Sequence, residues 1–145
     1  MDSLVSIHSI SRWFVLALLV YAIVNALLKK NSGKFEKSDK MINLFAIIIV
    51  HIQVTLGLIL YFTSPKVVFV AGWMKVAQAR FFGMEHILMM LIAAVLSTIG
   101  RRKSENATDT VLKHKRILVF YVIGLLIILA GIPWPGLRSF ASGWF

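Results

Sequence analysis

Four long apolar runs constrain the fold of this chain more than any other feature of its sequence. They occupy residues 9–28, 41–63, 81–99 and 116–132 of 145. Each is close to the roughly 20 residues that a helix needs to cross about 30 Å of hydrocarbon. Charged residues make up only 15% of the sequence, against about a quarter in an ordinary soluble domain. We therefore predict an all-α integral membrane protein, with residues 1–145 forming a single transmembrane domain.

The connections between the four runs are short, which favours an antiparallel up-down bundle with the first and third helices on a diagonal. The first run ends in Lys29 and Lys30 without a small-residue cleavage site, so we interpret it as a span and not as a signal peptide. Residues 65–79 mix apolar side chains with cations and are predicted to lie along the outer membrane interface. Because the chain has no cysteine, we expect no disulfide and no thiolate metal site.

The net charge of +10 arises mainly from the segments that follow the first and third runs. Residues 29–40 carry five lysines, and residues 101–116 carry six lysines and arginines. The positive-inside rule therefore predicts that both basic loops lie in the cytoplasm and both termini outside. Anionic lipid headgroups are the expected partners of these cations. We do not predict nucleic-acid binding, because the membrane topology already explains where the basic residues stand.

Arg12 and Glu85 are charged side chains that fall within apolar runs. An ionised group costs several kcal/mol to bury in hydrocarbon, so each needs a partner. Counted at about 1.5 Å per residue from the predicted cytoplasmic ends, Glu85 lies about 21 Å and Arg12 about 24 Å up their helices. We predict that they form an ion pair inside the bundle, with either an architectural or a functional role. Arg12 has the alternative of snorkelling to the headgroups.

The four histidines, one associated with each helix, suggest haem binding. Membrane bundles often hold b-type haem between two imidazoles at similar depth. By the same count His51 lies at about 14 Å, His86 at about 20 Å and His8 near 30 Å, with His114 at the inner boundary. His51 and His86 are closest in depth, although their helices are neighbours. His8 and His86 lie on diagonal helices but nearly two turns apart, and His114 is expected to be a solvated interface residue.

The second helix carries two polar faces. His51 and Thr55 share one, whereas Gln53 and Gly57 share another, where the glycine permits close approach of a helix or a flat ligand. Residues 89–90 are both methionine and lie near the depth of His51. The two alternatives for these methionines are a mixed His/Met haem site and simple packing between helices. Spacing alone does not decide whether the interior holds haem, a quinone, waters or only hydrogen bonds.

The segments "IHSISRW", "VHIQVTLGLILYFTSPKVVFVAG", "FFGMEHILMMLIA", "TIGRRK" and "IPWP" resemble a group of small bacterial four-helix membrane proteins labelled cytochrome b-like. The resemblance covers nearly the whole chain. It implies a bacterial inner-membrane protein capable of binding b-type haem, with His51, His86 and also His8 as the matching candidates. Unlike the better-known cytochromes b, this chain has no two helices that each carry a pair of histidines about thirteen residues apart. The absence of these histidine pairs disfavours an electron path through two haems.

We interpret the chain as a haem- or quinone-binding electron-transfer subunit without enzymatic activity of its own. His51 and His86 are the predicted haem iron ligands, and Arg12 and Glu85 are predicted to set the electrostatics or neutralise a propionate. The alternative is a cofactor-free accessory subunit that packs within a larger membrane or respiratory complex. A third reading is a proton or small-solute path along the polar residues, although the broken helices of many transporters are missing from the sequence pattern. We find no arrangement typical of a hydrolase.

Overall fold

The computed structural model describes residues 2–140 and 143–144, and the regular structure within them is helical. Its long helices are α1 (Asp2–Lys29), α2 (Lys37–Thr63), α3 (Ala77–Asn106) and α4 (Thr110–Gly131). Each is long and apolar enough to cross a membrane. The prediction of an all-α four-helix membrane bundle is therefore confirmed, and the chain is a multi-pass membrane protein.

Each long helix packs against two others. α1 contacts α2 and α4, and α3 also contacts α2 and α4, so α1 and α3 lie on a diagonal as predicted. The first half of α1 and residues 143–144 lie at the same end of the bundle, where the rings of Trp13 and Trp144 stack with centres 6.4 Å apart. We call this the terminal end; the opposite end, which carries the loops 30–36 and 107–109, is the basic end.

A buried carboxylate fixes the start of α2 at the basic end. Asp39 is fully buried and accepts hydrogen bonds from the Glu36 backbone N–H and the Asn25 amide, both at 2.8 Å. Its other contact is an ion pair with Lys29 at 3.0 Å. Because Asn25 and Lys29 belong to α1, these contacts cap α2 and join it to its neighbour.

α3 and α4 approach closely because α4 has glycine where the two helices meet. A Cβ atom at Gly124 would lie 2.5 Å from the Ser97 hydroxyl oxygen, and one at Gly131 would lie 2.4 Å from the Met90 methyl group. Small residues permit such close backbone approach in membrane bundles. Large side chains that are fully buried elsewhere in the core include Leu19, Phe81, Ile117 and Tyr121.

α3 is longer than the apolar run 81–99 that predicted it. It continues to Asn106 because lysine and arginine are good helix formers whose side chains extend towards the headgroups. It begins at Ala77, and Phe81–Glu85 form a π-helical turn directly before His86. Single π-helical turns within α-helices are rare and often accompany functional sites.

The segment before α3 folds onto the terminal end of the bundle. The ring of Phe69 lies 5.0 Å from that of Trp73 and 6.2 Å from that of Tyr61. The Tyr61 hydroxyl donates to the Gly83 carbonyl within the π-helical turn at 2.9 Å. These contacts support the turn; the interfacial location of residues 65–79 remains a prediction.

We predict that Gly124→Val destabilises the bundle, because the added side chain would collide with Ser97. Overpacking of this kind costs about 1–3 kcal/mol of unfolding free energy. Unfolding in mixed detergent micelles, followed by circular dichroism, measures the effect. The control is Ile123→Val, at an adjacent position with an exposed side chain. Equal stability of the two variants would contradict the close packing of α3 against α4.

Candidate functional site

A cavity of about 140 Å³ opens between the helices at the terminal end of the bundle. Its wall is mostly apolar and comes from all four long helices and from residues 64–67. No carboxylate stands among the described residues that line it. The polar side chains in the wall are His8, Ser9, Arg12, Gln53, Tyr61, Ser64, Lys66 and His86. The cavity therefore combines imidazoles, cations and a few neutral polar groups in a mostly apolar wall.

His8 of α1 and His86 of α3 face each other across this cavity. Their ring centres are 6.3 Å apart and their planes are inclined at 76°. An imidazole nitrogen lies about 2 Å from a bound metal ion, so two imidazoles on opposite sides of one ion have ring centres roughly 6 Å apart. The separation of His8 and His86 matches this value.

His86 is held by the backbone of α4. Its Nδ1 lies 2.8 Å from the Gly131 carbonyl oxygen. A carbonyl only accepts, so Nδ1 carries the proton and donates, which leaves Nε2 with its lone pair. Histidines that bind metals usually make this kind of hydrogen bond through their other nitrogen. The close approach at Gly131 is what brings the carbonyl within reach.

His8 is held from the opposite side by α2. The Gln53 amide donates to the His8 carbonyl at 2.8 Å, and its nitrogen lies 3.4 Å from His8 Nε2. Ser11 in turn hydrogen-bonds the Gln53 side-chain oxygen. The His8 ring rests against Gly57, where a Cβ atom would lie 3.2 Å from ring carbon Cε1. His8 Nδ1 is buried and has no hydrogen-bond partner among the described residues.

Arg12 is 7% exposed and is held by the end of the chain. Its Nη2 donates to the Trp144 carbonyl at 2.8 Å, and the guanidinium carbon lies 5.5 Å and 5.8 Å from the ring centres of Trp13 and Trp134. Carbonyls and aromatic faces both favour a cation. Arg12 Nε is buried and lacks a partner among the described residues, although the residue lines the cavity.

The predicted ion pair between Arg12 and Glu85 is wrong. Glu85 pairs instead with Arg80, whose Nε lies 2.7 Å from the carboxylate oxygen, and the Glu85 side chain is 31% exposed. The π-helical turn explains the difference, because its i→i+5 pattern aligns side chains five residues apart. Glu85 is not among the lining residues of the cavity, so its predicted role beside a cofactor is not supported by its position.

The structure places His51 and His86, the predicted ligand pair, on different surfaces, so they do not line one cavity. His51 lies on the exposed side of α2, where its Nε2 is 3.2 Å from the Thr98 hydroxyl oxygen. The depths predicted from the sequence assumed that the third helix ends at residue 99, whereas α3 continues to Asn106. His86 lies twenty residues before the end of α3 and His8 twenty-one before the end of α1. At about 1.5 Å per residue, the two are level at about 30 Å.

His114 is at the basic end as expected, but the prediction that it is solvated is wrong. It is 1% exposed, and its Nε2 lies 2.9 Å from the Lys34 carbonyl oxygen. Its ring packs edge-on against Phe35 with centres 5.0 Å apart. His114 therefore anchors the loop 30–36 and has no part in the cavity.

Comparison with protein-family models, curated proteins and solved structures finds no match to this chain.

Sequence reasoning did not assign Gln53, Ser11 or Lys66 to the site. The spacing of Gln53 and Gly57 was a usable signal, because residues four apart share a helix face and a glycine there permits close contact. Lys66 lies in the connection after α2, and its position over the cavity depends on how that segment folds. Ser11 contributes through Gln53, a contact that no single-helix pattern reveals.

We predict that Arg80 and Glu85 show energetic coupling in a double-mutant cycle and that Arg12 and Glu85 show none. Since Arg80 and Glu85 are both partly exposed, the coupling should be about 0.2–1 kcal/mol. The cycle uses Arg80→Gln, Arg12→Gln and Glu85→Gln, and unfolding free energies in detergent supply the values. Coupling of Glu85 to Arg12 in place of Arg80 would contradict the contacts described above.

Proposed function

We propose that this protein binds one b-type haem at the terminal end of the bundle and passes electrons within the membrane. His8 and His86 are the residues that would hold its iron. The observation that carries the proposal is the 6.3 Å separation of their ring centres across a largely apolar cavity. Haem bound there would supply reversible one-electron oxidation and reduction at its iron.

Three features of the residues fit such a cofactor. The Gly131 carbonyl fixes the orientation of His86 and leaves its Nε2 free. His8 Nδ1 and Arg12 Nε are buried without partners among the described residues, so the site has unused hydrogen-bonding capacity. Arg12 and Lys66 supply positive charge without a carboxylate in the described wall, which suits propionate groups.

The cavity volume sets a further requirement. At about 140 Å³ it is smaller than the roughly 300–1,000 Å³ of typical cofactor sites. A porphyrin would therefore require the cavity to widen when it binds. The 3.4 Å contact between Gln53 and His8 Nε2 is weak, so the His8 ring could be released for binding while Gln53 keeps its bond to the His8 carbonyl.

We predict that the purified protein, supplied with haem during expression, shows a Soret band. His8→Ala and His86→Ala should each abolish or shift the band by removing an axial ligand. His51→Ala is the matched control, because it removes an imidazole that does not line the cavity, and it should leave the spectrum unchanged. Pyridine haemochrome analysis identifies the haem type, and circular dichroism checks that each variant remains helical.

A colourless protein with haem available would contradict the haem proposal and favour the cofactor-free accessory subunit of a larger membrane complex. An unchanged Soret band in the His8→Ala, His86→Ala double variant would contradict the assignment of these two histidines as ligands. It would not contradict haem binding.

We also propose that the protein lies in a bacterial inner membrane, with both termini outside and the basic end in the cytoplasm against anionic headgroups. The basic residues of the two loops support this orientation. Because the chain lacks cysteine, single cysteine substitutions report the orientation without labelling of any native residue. A membrane-impermeant maleimide on intact cells should label Val70→Cys and spare Ser32→Cys until the membrane is opened. Labelling of Ser32→Cys alone in intact cells would show the opposite orientation.

A further inference from the structure

The cavity at the terminal end is large enough for a metal ion without any change in its size. As it stands it encloses about 140 Å³, whereas typical cofactor sites measure roughly 300–1,000 Å³. A metal ion is no larger than a water molecule, which needs only about 10–15 Å³ of such space. An ion therefore fits between His8 and His86, whose ring centres are 6.3 Å apart, while the cavity is still too small for a porphyrin.

Both imidazoles are able to bind a metal ion in their neutral form. His86 donates from Nδ1 to the Gly131 carbonyl, so its Nε2 keeps a lone pair. The ring of His8 makes no strong hydrogen bond to any described residue, because Nδ1 has no partner and Nε2 has only the 3.4 Å contact with Gln53. A neutral imidazole always has one nitrogen with a lone pair, so His8 can supply a second ligand.

The cavity also contains a thioether. Met90 lies four residues after His86 on α3, which is about one turn, and it lines the same cavity. Its methyl group lies beside Gly131, where an added Cβ atom would collide with it. A methionine side chain has three rotatable bonds, so its sulfur can turn towards an ion without movement of the backbone.

The ligands and charges of the wall favour one kind of metal ion. Thioethers favour soft ions such as Cu(I), and imidazole also binds copper. Zinc sites use three or four protein ligands, and the described residues contain no group of three or more histidine, cysteine or acidic side chains that could hold a metal ion. Arg12 and Lys66 already bring positive charge to the wall, so an ion of charge +1 costs less to bury there than one of charge +2.

We propose that the haem-free protein binds a single cuprous ion between His8 and His86, with the thioether of Met90 as a third, weaker ligand. Two imidazoles on opposite sides of an ion, each with its nitrogen about 2 Å away, have the ring separation that these two already show. The ion binds as Cu(I) and both histidines stay neutral, so the step involves no transfer of electrons or protons. The inference goes beyond haem binding and does not depend on it, because haem and the ion would compete for the same imidazoles.

The test measures Cu(I) binding to the haem-free protein in detergent, by anaerobic competition with the chromogenic chelator bicinchoninate in the presence of ascorbate. One Cu(I) per chain is expected. His8→Ala and His86→Ala should each weaken binding by more than the roughly 10–100-fold that loss of an outer contact costs a metal site. His51→Ala is the matched control, because His51 does not line the cavity, and its affinity should equal that of the wild type.

Two neighbouring methionines provide a second matched pair. Met90→Leu should weaken Cu(I) binding about tenfold, at the lower end of the same range. Met89→Leu should leave it unchanged, because Met89 is not among the described residues that line the cavity. Both side chains lie beside Gly131, so the two substitutions disturb similar packing. An excess of Zn(II) should leave the Cu(I) bound.

A wild-type protein that takes up no Cu(I) would overturn the proposal whatever the variants do. Wild-type affinity in the His8→Ala, His86→Ala double variant would overturn it as well, and so would displacement of the Cu(I) by Zn(II). Equal effects of Met90→Leu and Met89→Leu would overturn the role of Met90 as a ligand.

The result can be separated from that of the haem proposal. A wild type that binds Cu(I) but shows no Soret band when supplied with haem would support the copper site and contradict the proposed function. Binding of haem without Cu(I) would do the reverse. If the protein binds both, the Cu(I)-loaded form should take up haem more slowly than the metal-free form. Full simultaneous occupancy by both would contradict a copper site at His8 and His86.

Discussion

Polar side chains inside the hydrocarbon must find partners within the protein, because lipid tails offer neither donors nor acceptors. At the terminal end this requirement joins the helices in two pairs. Gln53 of α2 binds His8 of α1, and Gly131 of α4 binds His86 of α3. Arg12 is held by the carbonyl groups of residues 143–144. Once these contacts are made, two imidazoles and a guanidinium face one cavity, and His8 Nδ1 and Arg12 Nε remain without a partner among the described residues.

The bundle was predictable because its main determinants are local. A helix needs a certain apolar length to cross the membrane, and four such runs on short connections leave few arrangements. The diagonal placement of α1 and α3 follows from this, and so does the assignment of Gln53 and Gly57 to one face of α2. What periodicity did not decide was which of its two polar faces points inward. The structure turns Gln53 inward and His51 outward.

The site was less predictable because it depends on where helices end and how one turn is wound. Ending α3 at residue 99 placed His86 about 10 Å too close to the basic end, since seven residues were not counted. The π-helical turn then directs Glu85 to Arg80 in a way that a regular α-helix would not. The partner of Arg12 comes from the far end of the sequence. None of these contacts has a signature in a single run of residues.

The proposed function requires that His8 and His86 together hold one iron between α1 and α3. X-ray absorption at the iron edge of the haem-loaded protein can test this, because histidine ligands contribute a distinct signal. Two imidazole nitrogens at about 2 Å from the iron are expected in the wild type, and one after His8→Ala. A single imidazole in the wild type, or two that persist in His8→Ala, would contradict His8 and His86 as the ligand pair.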